Sequence, residues 1–252
     1  MTKIDWSDET INPLGHGCYG TGTKDNPKIY PYCYAAKMAK RNMRGCDLCA
    51  KFIPHTHFEQ LDKLKQWKKP KTVFVQSMGD LFGDWVSDEW IEKVFDACKK
   101  APQHRYLFLT KNPKRYLKLY DEKKFPYAEN FWFGTTCTKP SNEFTFVKNT
   151  PYKCFVSIEP LLEPFGDLEN GEMPDWIIIG RETGNRKDKI IPKKEWIENI
   201  VNYCREKNVP VFMKNNLAEE KWCKDKKTGE MILVEPKVWD EPLIQEFPWR
   251  DE

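Results

Sequence analysis

Four cysteines in the first fifty residues, Cys18, Cys33, Cys46 and Cys49, stand in a stretch rich in Gly, Tyr and Pro. Thiolates are soft ligands, and two Cys-x-x-Cys-like pairs in one loop suit either zinc or an iron–sulfur cluster. Only Cys46-Asp47-Leu48-Cys49 has that spacing literally; the motif around Cys33 carries Tyr30 where a partner three residues earlier would stand. His55 and His57 follow closely, and with Cys46 and Cys49 they would complete a zinc site. Nine cysteines in a chain whose start, MTKIDWSDET, has neither the basic opening nor the apolar core of a signal peptide favour reduced thiols and metal ligation over disulfides.

Ligands of this kind need a scaffold, and the rest of the chain has the pattern of one. From residue 73 onward, short β-branched and aromatic runs alternate with segments of helical period, as successive βα units do. The runs are Val73–Ser77, Tyr106–Thr110, Phe131–Thr135, Cys154–Ile158, Trp176–Gly180 and Val209–Lys214, mostly apolar throughout and so expected to be buried on both faces of a parallel sheet. Lys3–Asn12 is the expected first strand. Ile91, Val94, Phe95 and Cys98 recur at helical spacing after Ser87, an N-cap followed by Asp88 and Glu89. Ile197, Ile200, Val201 and Cys204 repeat the spacing between Pro192 and Asn208–Pro210, so Cys98 and Cys204 read as core residues. Pro113–Glu122 is a further helical segment, Asn142–Asn149 a weaker one.

The expected fold class is therefore α/β, a single, partial TIM-like (β/α) barrel with an N-terminal cysteine-rich metal-binding loop. One domain is expected over 1–252: the cysteine loop to residue 57, βα units over 73–215 and an irregular tail over 216–252 packed back on the barrel. A 40% hydrophobic content with 15 Phe, 10 Trp and 10 Tyr can fill such a core, which excludes a disordered chain. Forty-one Lys and Arg against 38 Asp and Glu do not mark a dedicated nucleic-acid binder. No run of eighteen apolar residues occurs, so the expectation is a cytoplasmic protein with no membrane partner.

Ligands bind beyond the carboxyl ends of the strands in such folds. Polar residues recur there: Gln76, Ser77, Gly79 and Asp80; Thr110 and Lys111; Thr135 and Thr136; Ser157 and Glu159; Gly180, Arg181 and Glu182; Lys214 and Asn215. Together they imply a polar cavity, with the N-terminal cysteines over the same mouth.

The motifs GCYGTG, YPYCYAAKMAKR, VFVQSMGDLF, YLFLTKNPKRY, FWFGTT, FVSIEPLL and WIIIG, in this order over nearly the whole chain, resemble those of an uncharacterised phage-associated family of radical-SAM-like proteins. That resemblance implies a [4Fe–4S] cluster held by three thiolates, its open iron chelating S-adenosylmethionine. It also implies an electron donor whose one electron yields a 5′-deoxyadenosyl radical, and a nucleic-acid substrate. Carried over, Cys18 matches the first thiolate and Cys33 the last, while the middle position falls near Tyr30. One or both of Cys46 and Cys49 would then complete the cluster. Three ligands would leave an iron open, whereas four would close it. The resemblance further implies that Ser77, Met78, Gly79 and Asp80 meet the methionyl amino group. Thr110, Lys111, Ser157 and Glu159 would meet carboxylate, ribose or substrate, with Asp80, Lys111 and Glu159 as catalytic candidates. Glu159 alternatively pairs with Lys111 or Arg181.

The competing expectation is a non-radical iron–sulfur or zinc-binding protein, with zinc at Cys46, Cys49, His55 and His57, that associates with nucleic acid. KLKQWKKPK, KNPKRYLKLY and RKDKIIPKK would contact phosphates, with Trp67 or Tyr116 stacking on bases.

Overall fold

A computed structural model of the chain describes residues 4–42, 45–140, 151–165, 174–184, 186–225 and 227–249. The strands are β1 (Glu9–Ile11), β2 (Thr72–Val75), β3 (Arg105–Thr110), β4 (Phe131–Thr136), β5 (Lys153–Ile158), β6 (Trp176–Ile179), β7 (Val211–Met213), β8 (Lys221–Lys224) and β9 (Met231–Glu235). The helices are α1 (Tyr34–Asn42), α2 (Asp47–Ala50), α3 (Asp62–Gln66), α4 (Asp88–Lys99), α5 (Lys114–Asp121) and α6 (Lys194–Lys207). Strands β1 to β7 follow one another in chain order in one sheet, with β1 to β4 and β6 to β7 paired in parallel. A parallel sheet whose spatial order is its chain order, interleaved with helices, has the topology of a partial (β/α) barrel, as expected. Asn142–Asn149 lies outside the described residues.

Strand limits differ from the apolar runs for local reasons. β2 stops at Val75 because Gln76 takes a left-handed conformation, φ 69°. β7 starts at Val211 because Pro210 has no N–H to give a ladder. β1 is shorter than Lys3–Asn12, and the Asp8 carboxylate instead accepts from Thr72 N at 2.8 Å.

The chain divides into two compact units, 1–136 with 143–155, and 137–142 with 156–252. In the first, α4 is capped by Ser87, whose hydroxyl accepts from Trp90 N, and it buries Ile91, Val94, Phe95 and Cys98. These meet an aromatic core of Phe82, Phe108, Tyr116, Phe125, Phe131 and Phe133. Aromatic rings contribute large apolar area in fixed edge-to-face arrangements, which gives the strands that carry the site a stiff base. Tyr116 belongs to this core, 3% exposed, so it cannot stack on bases; burial of its ring between α5 and the sheet overturns that expectation.

In the second unit, α6 ends on Asn208 at φ 55°, a left-handed cap, and buries Ile197, Ile200, Val201 and Cys204. Phe247 packs on Trp176 and Phe212, and Trp249 on Trp176. The tail is not irregular throughout, however. β8 and β9 form an antiparallel hairpin, because the Asp225 side chain accepts from Lys227 N and Thr228 N and Gly229 supplies φ 77°. Among the described residues no helix is long and apolar enough to cross a membrane.

Candidate metal centre

Cys46 stands at the N-cap position of α2 and Cys49 lies within that helix, one turn on, so the literal Cys-x-x-Cys spacing turns both sulfurs to one side. The chain then runs through Ile53 and Pro54 and returns His55 and His57. One donor atom from each of Cys46, Cys49, His55 and His57 lies within 4.8 Å of every other. The Nε2 of His55 is 3.3 Å from Cys46 Sγ and 3.4 Å from Cys49 Sγ, and the Nε2 of His57 is 3.6 Å from Cys49 Sγ. A tetrahedron with Zn–S near 2.3 Å and Zn–N near 2.0 Å has edges of roughly 3.3–3.8 Å, which these separations match.

The far nitrogen of each imidazole is also held. His55 Nδ1 donates to Ile53 O at 2.7 Å, and His57 Nδ1 lies 2.5 Å from a Glu59 carboxylate oxygen. Such partners place the proton on Nδ1 and leave Nε2 as the lone-pair donor, the arrangement usual behind metal-bound histidines. Sequence reasoning misses Glu59, although a carboxylate two residues past a candidate ligand is a legible signal.

The four side chains differ in their electrostatics. The backbone N–H of Cys49 and the His57 side chain hold Cys46 down to about 6, whereas burial pushes the Cys49 thiol up. The Cys46 thiolate, then Glu59, raise His57. Burial lowers His16, as do the charges of His57 and His55.

The other two cysteines lie elsewhere in the same unit. Cys18 accepts from Gly20 N at 3.2 Å, and Cys33 caps α1 by accepting from Ala36 N at 3.4 Å. Both pack against Ala35, Ala39, Phe52 and Met78. Burial first, and then the Asp80 charge, pushes the Cys18 thiol up to about 12. Tyr30 is raised by burial and by Cys18 and Asp80, so it stays a phenol. The donor set here is two thiols beside a neutral phenol. Among the described residues, no compact set of three His, Cys, Asp or Glu donors includes Cys18 or Cys33. It does not fit a cluster held by three thiolates, since Cys46 and Cys49 are gathered with His55 and His57 instead.

The strand exits of this unit converge around Asp80. Its carboxylate accepts from Thr110 Oγ1 at 2.8 Å, from Phe82 N at 3.0 Å and from Lys111 N at 3.0 Å. Three donors fix the orientation of the group that the resemblance would offer to an amine. Lys111 Nζ lies 3.5 Å from Thr136 Oγ1 and 5.9 Å from the Tyr30 ring centroid. Ser77 Oγ donates to Asn12 Oδ1, which also accepts from Met78 N, and the Ser77 carbonyl accepts from Tyr34 Oη. Gly79 forms an isolated parallel bridge with Gly17.

In the second unit, Glu159 pairs with Lys214, not with Lys111 or Arg181. Arg181 is buried and donates to the carbonyls of Pro236 and Glu219, which removes it from any ligand role. Ser157 Oγ is buried with no partner among the described residues. The sequence marks Lys214 only as a strand-exit residue, and nothing local to it identifies Glu159 as its partner.

A family profile described as "Protein of unknown function (DUF5131)" matches residues 1–245. No curated protein matches the chain. Two solved structures of spore photoproduct lyase resemble it at 13% identity, covering 88% of this chain and 67% of theirs. A cysteine-to-alanine mutant of that lyase with dinucleoside spore photoproduct gives a TM-score of 0.40, and the lyase complexed with the same compound gives 0.39.

Proposed function

The chain belongs to the DUF5131 family of proteins of unknown function, and we propose that it is a zinc-stabilised α/β protein that binds its ligand at the strand exits. Cys46, Cys49, His55 and His57 hold the ion. The observation that carries this reading is the gathering of four donor atoms within 4.8 Å of one another, with both imidazoles held from behind. Four protein donors leave no open position, so the ion is structural and supplies no reaction chemistry.

Metal analysis of the purified chain tests it. Zinc near one per chain without labile sulfide is expected, and its affinity should climb as pH rises from about 6. The sign follows from the protons that must leave: Cys46 is already a thiolate above that pH, while Cys49 and His57, both raised, still surrender theirs to the metal. Affinity that is flat with pH, or iron and sulfide in place of zinc, would overturn the reading.

A radical-SAM-type iron–sulfur enzyme is the second reading. It is favoured by Cys18 and Cys33 packing together with Met78, next to Gly79 and Asp80 at the exit of β2. On this reading the strand exits bind S-adenosylmethionine, with Asp80, Lys111 and Glu159 as working residues, an external electron donor and a nucleic-acid substrate. It needs a third cluster ligand that Tyr30 does not supply, and the sulfide assay separates the two readings.

The nucleic-acid partner is common to both. Its support is the exposed Lys63, Lys65, Lys68 and Lys69 around half-buried Trp67. In the other two basic stretches several cations are paired: Arg115 with Asp88, Arg186 with Glu182, Lys189 with Glu235, and Lys194 with Asp240 and Glu241. Binding to single-stranded DNA or RNA that weakens steeply with salt is expected. Absence of binding at low salt would remove nucleic acid from the proposal.

A further inference from the structure

The segment 12–17 is held on two sides, and the two sides belong to different sites. Toward the metal group, Pro13 O accepts from His57 N at 2.7 Å, and Asn12 N donates to Gln60 Oε1 at 3.0 Å. Gly15, at φ 59°, lies so close under the imidazoles that a Cβ there would stand 2.5 Å from His55 Cε1 and 2.9 Å from His57 Cδ2. A Cβ on Gly17 would stand 2.3 Å from the Ile53–Pro54 peptide. Toward the strand exit, Leu14 N donates to Gln76 Oε1 at 2.9 Å and Gln76 Nε2 donates to Gly15 O at 2.8 Å. Gly17 N donates to Met78 O at 3.1 Å, and Met78 N donates to Asn12 Oδ1 at 2.7 Å.

Cys18 is the next residue, and Asp80 follows Gly79 on the other side of the bridge. We infer that the ion at Cys46, Cys49, His55 and His57 is the positioning element for Cys18 and for the exit of β2, acting through residues 12–17. The inference rests on the zinc reading proposed above and adds to it a regulated partner site. With the ion in place, the two imidazoles form a fixed wall against which Gly15 packs, and the Ile53–Pro54 peptide that leads into His55 packs on Gly17. Without it, the wall consists of four side chains with no common centre, and the loop between them and Gln76 loses one of its two supports. The free energy of opening a segment locally falls as its supports are removed. Metal occupancy therefore sets the exposure of Cys18.

The test uses the full chain as purified. Zinc is withdrawn with a chelator, its release is measured, and labelling of each cysteine by N-ethylmaleimide is followed by peptide mass spectrometry. Cys46 and Cys49 report loss of the ion directly. Cys18 labelling is expected to accelerate about tenfold or more with it. Cys98 and Cys204, fully buried in the core, and exposed Cys223 should keep their rates. Cys46 and Cys49 becoming reactive while Cys18 does not change would overturn the inference and leave the zinc reading standing. Cys98 reacting in step with Cys18 would also overturn it, since the ion would then hold the whole unit rather than this loop. Cys46 and Cys49 reacting freely in the purified, untreated chain would remove the zinc reading itself, and the inference with it.

Discussion

The Cys49→Ser chain is expected to purify without zinc and to unfold at a midpoint roughly 6–12 °C below the natural one. Cys49 is 4% exposed, so the substituted hydroxyl has no water to replace the lost ligand bond, and an alcohol is a poor donor to a soft-leaning ion. Structural zinc in small fingers supplies the whole folding free energy, about 10–16 kcal/mol. Here the unit has its own aromatic core, so the loss is partial; about 3 kcal/mol would shift the midpoint of a chain this long by about the stated interval. Cys18→Ser is the informative control, because a cluster shared by Cys18, Cys33, Cys46 and Cys49 would make both variants lose metal together. Separate sites make only Cys49→Ser lose it. A Cys49→Ser chain that retained one zinc and its original midpoint would end the proposal, and so would loss of zinc in Cys18→Ser alone.

What the sequence made legible follows from how far apart the interacting residues lie. The Cys–His group is local: Cys46 to His57 spans a single turn and a short return, so spacing brought Cys46, Cys49, His55 and His57 forward as one of two candidate donor sets. The strands were legible because burial on both faces leaves an apolar run with no other explanation, as in Phe131–Phe133 and Trp176–Ile179. Their ends were not, because β2 stops on a backbone conformation at Gln76 and β7 starts on a missing N–H at Pro210. Partners distant in the chain were illegible as well. Glu159 finds Lys214, and Gln76 finds Leu14 and Gly15, through strand order and register rather than through anything in their own neighbourhoods. Tyr116 shows the opposite error: KNPKRYLKLY looks like a basic aromatic face until helical period turns Arg115 and Tyr116 inward.

Tyr30→Cys is expected to change what the strand-end site can bind. The natural chain should take up no stable cluster when reconstituted anaerobically with iron and sulfide, because two thiols cannot hold three irons of a cubane and the Tyr30 phenol keeps its proton. Burial, Cys18 and Asp80 all raise the phenol, so the charge that would be needed for ligation is opposed from every side. A thiol is the softer ligand and completes the three-thiolate set that leaves one iron open. The variant should therefore gain about four iron and four sulfide per chain, the content of one cubane cluster, with the zinc unchanged. Its reduced cluster should change its electron paramagnetic resonance signal when S-adenosylmethionine is added. A natural chain that already reconstitutes to the same content would instead establish the iron–sulfur reading, with Cys46 or Cys49 as the third ligand. A variant that gains no iron while keeping its zinc would show that the middle position is not the missing element and that Cys18 and Cys33 do not form a cluster site. The substitution thus asks whether one side chain separates this protein from the open-iron chemistry that its sequence motifs resemble.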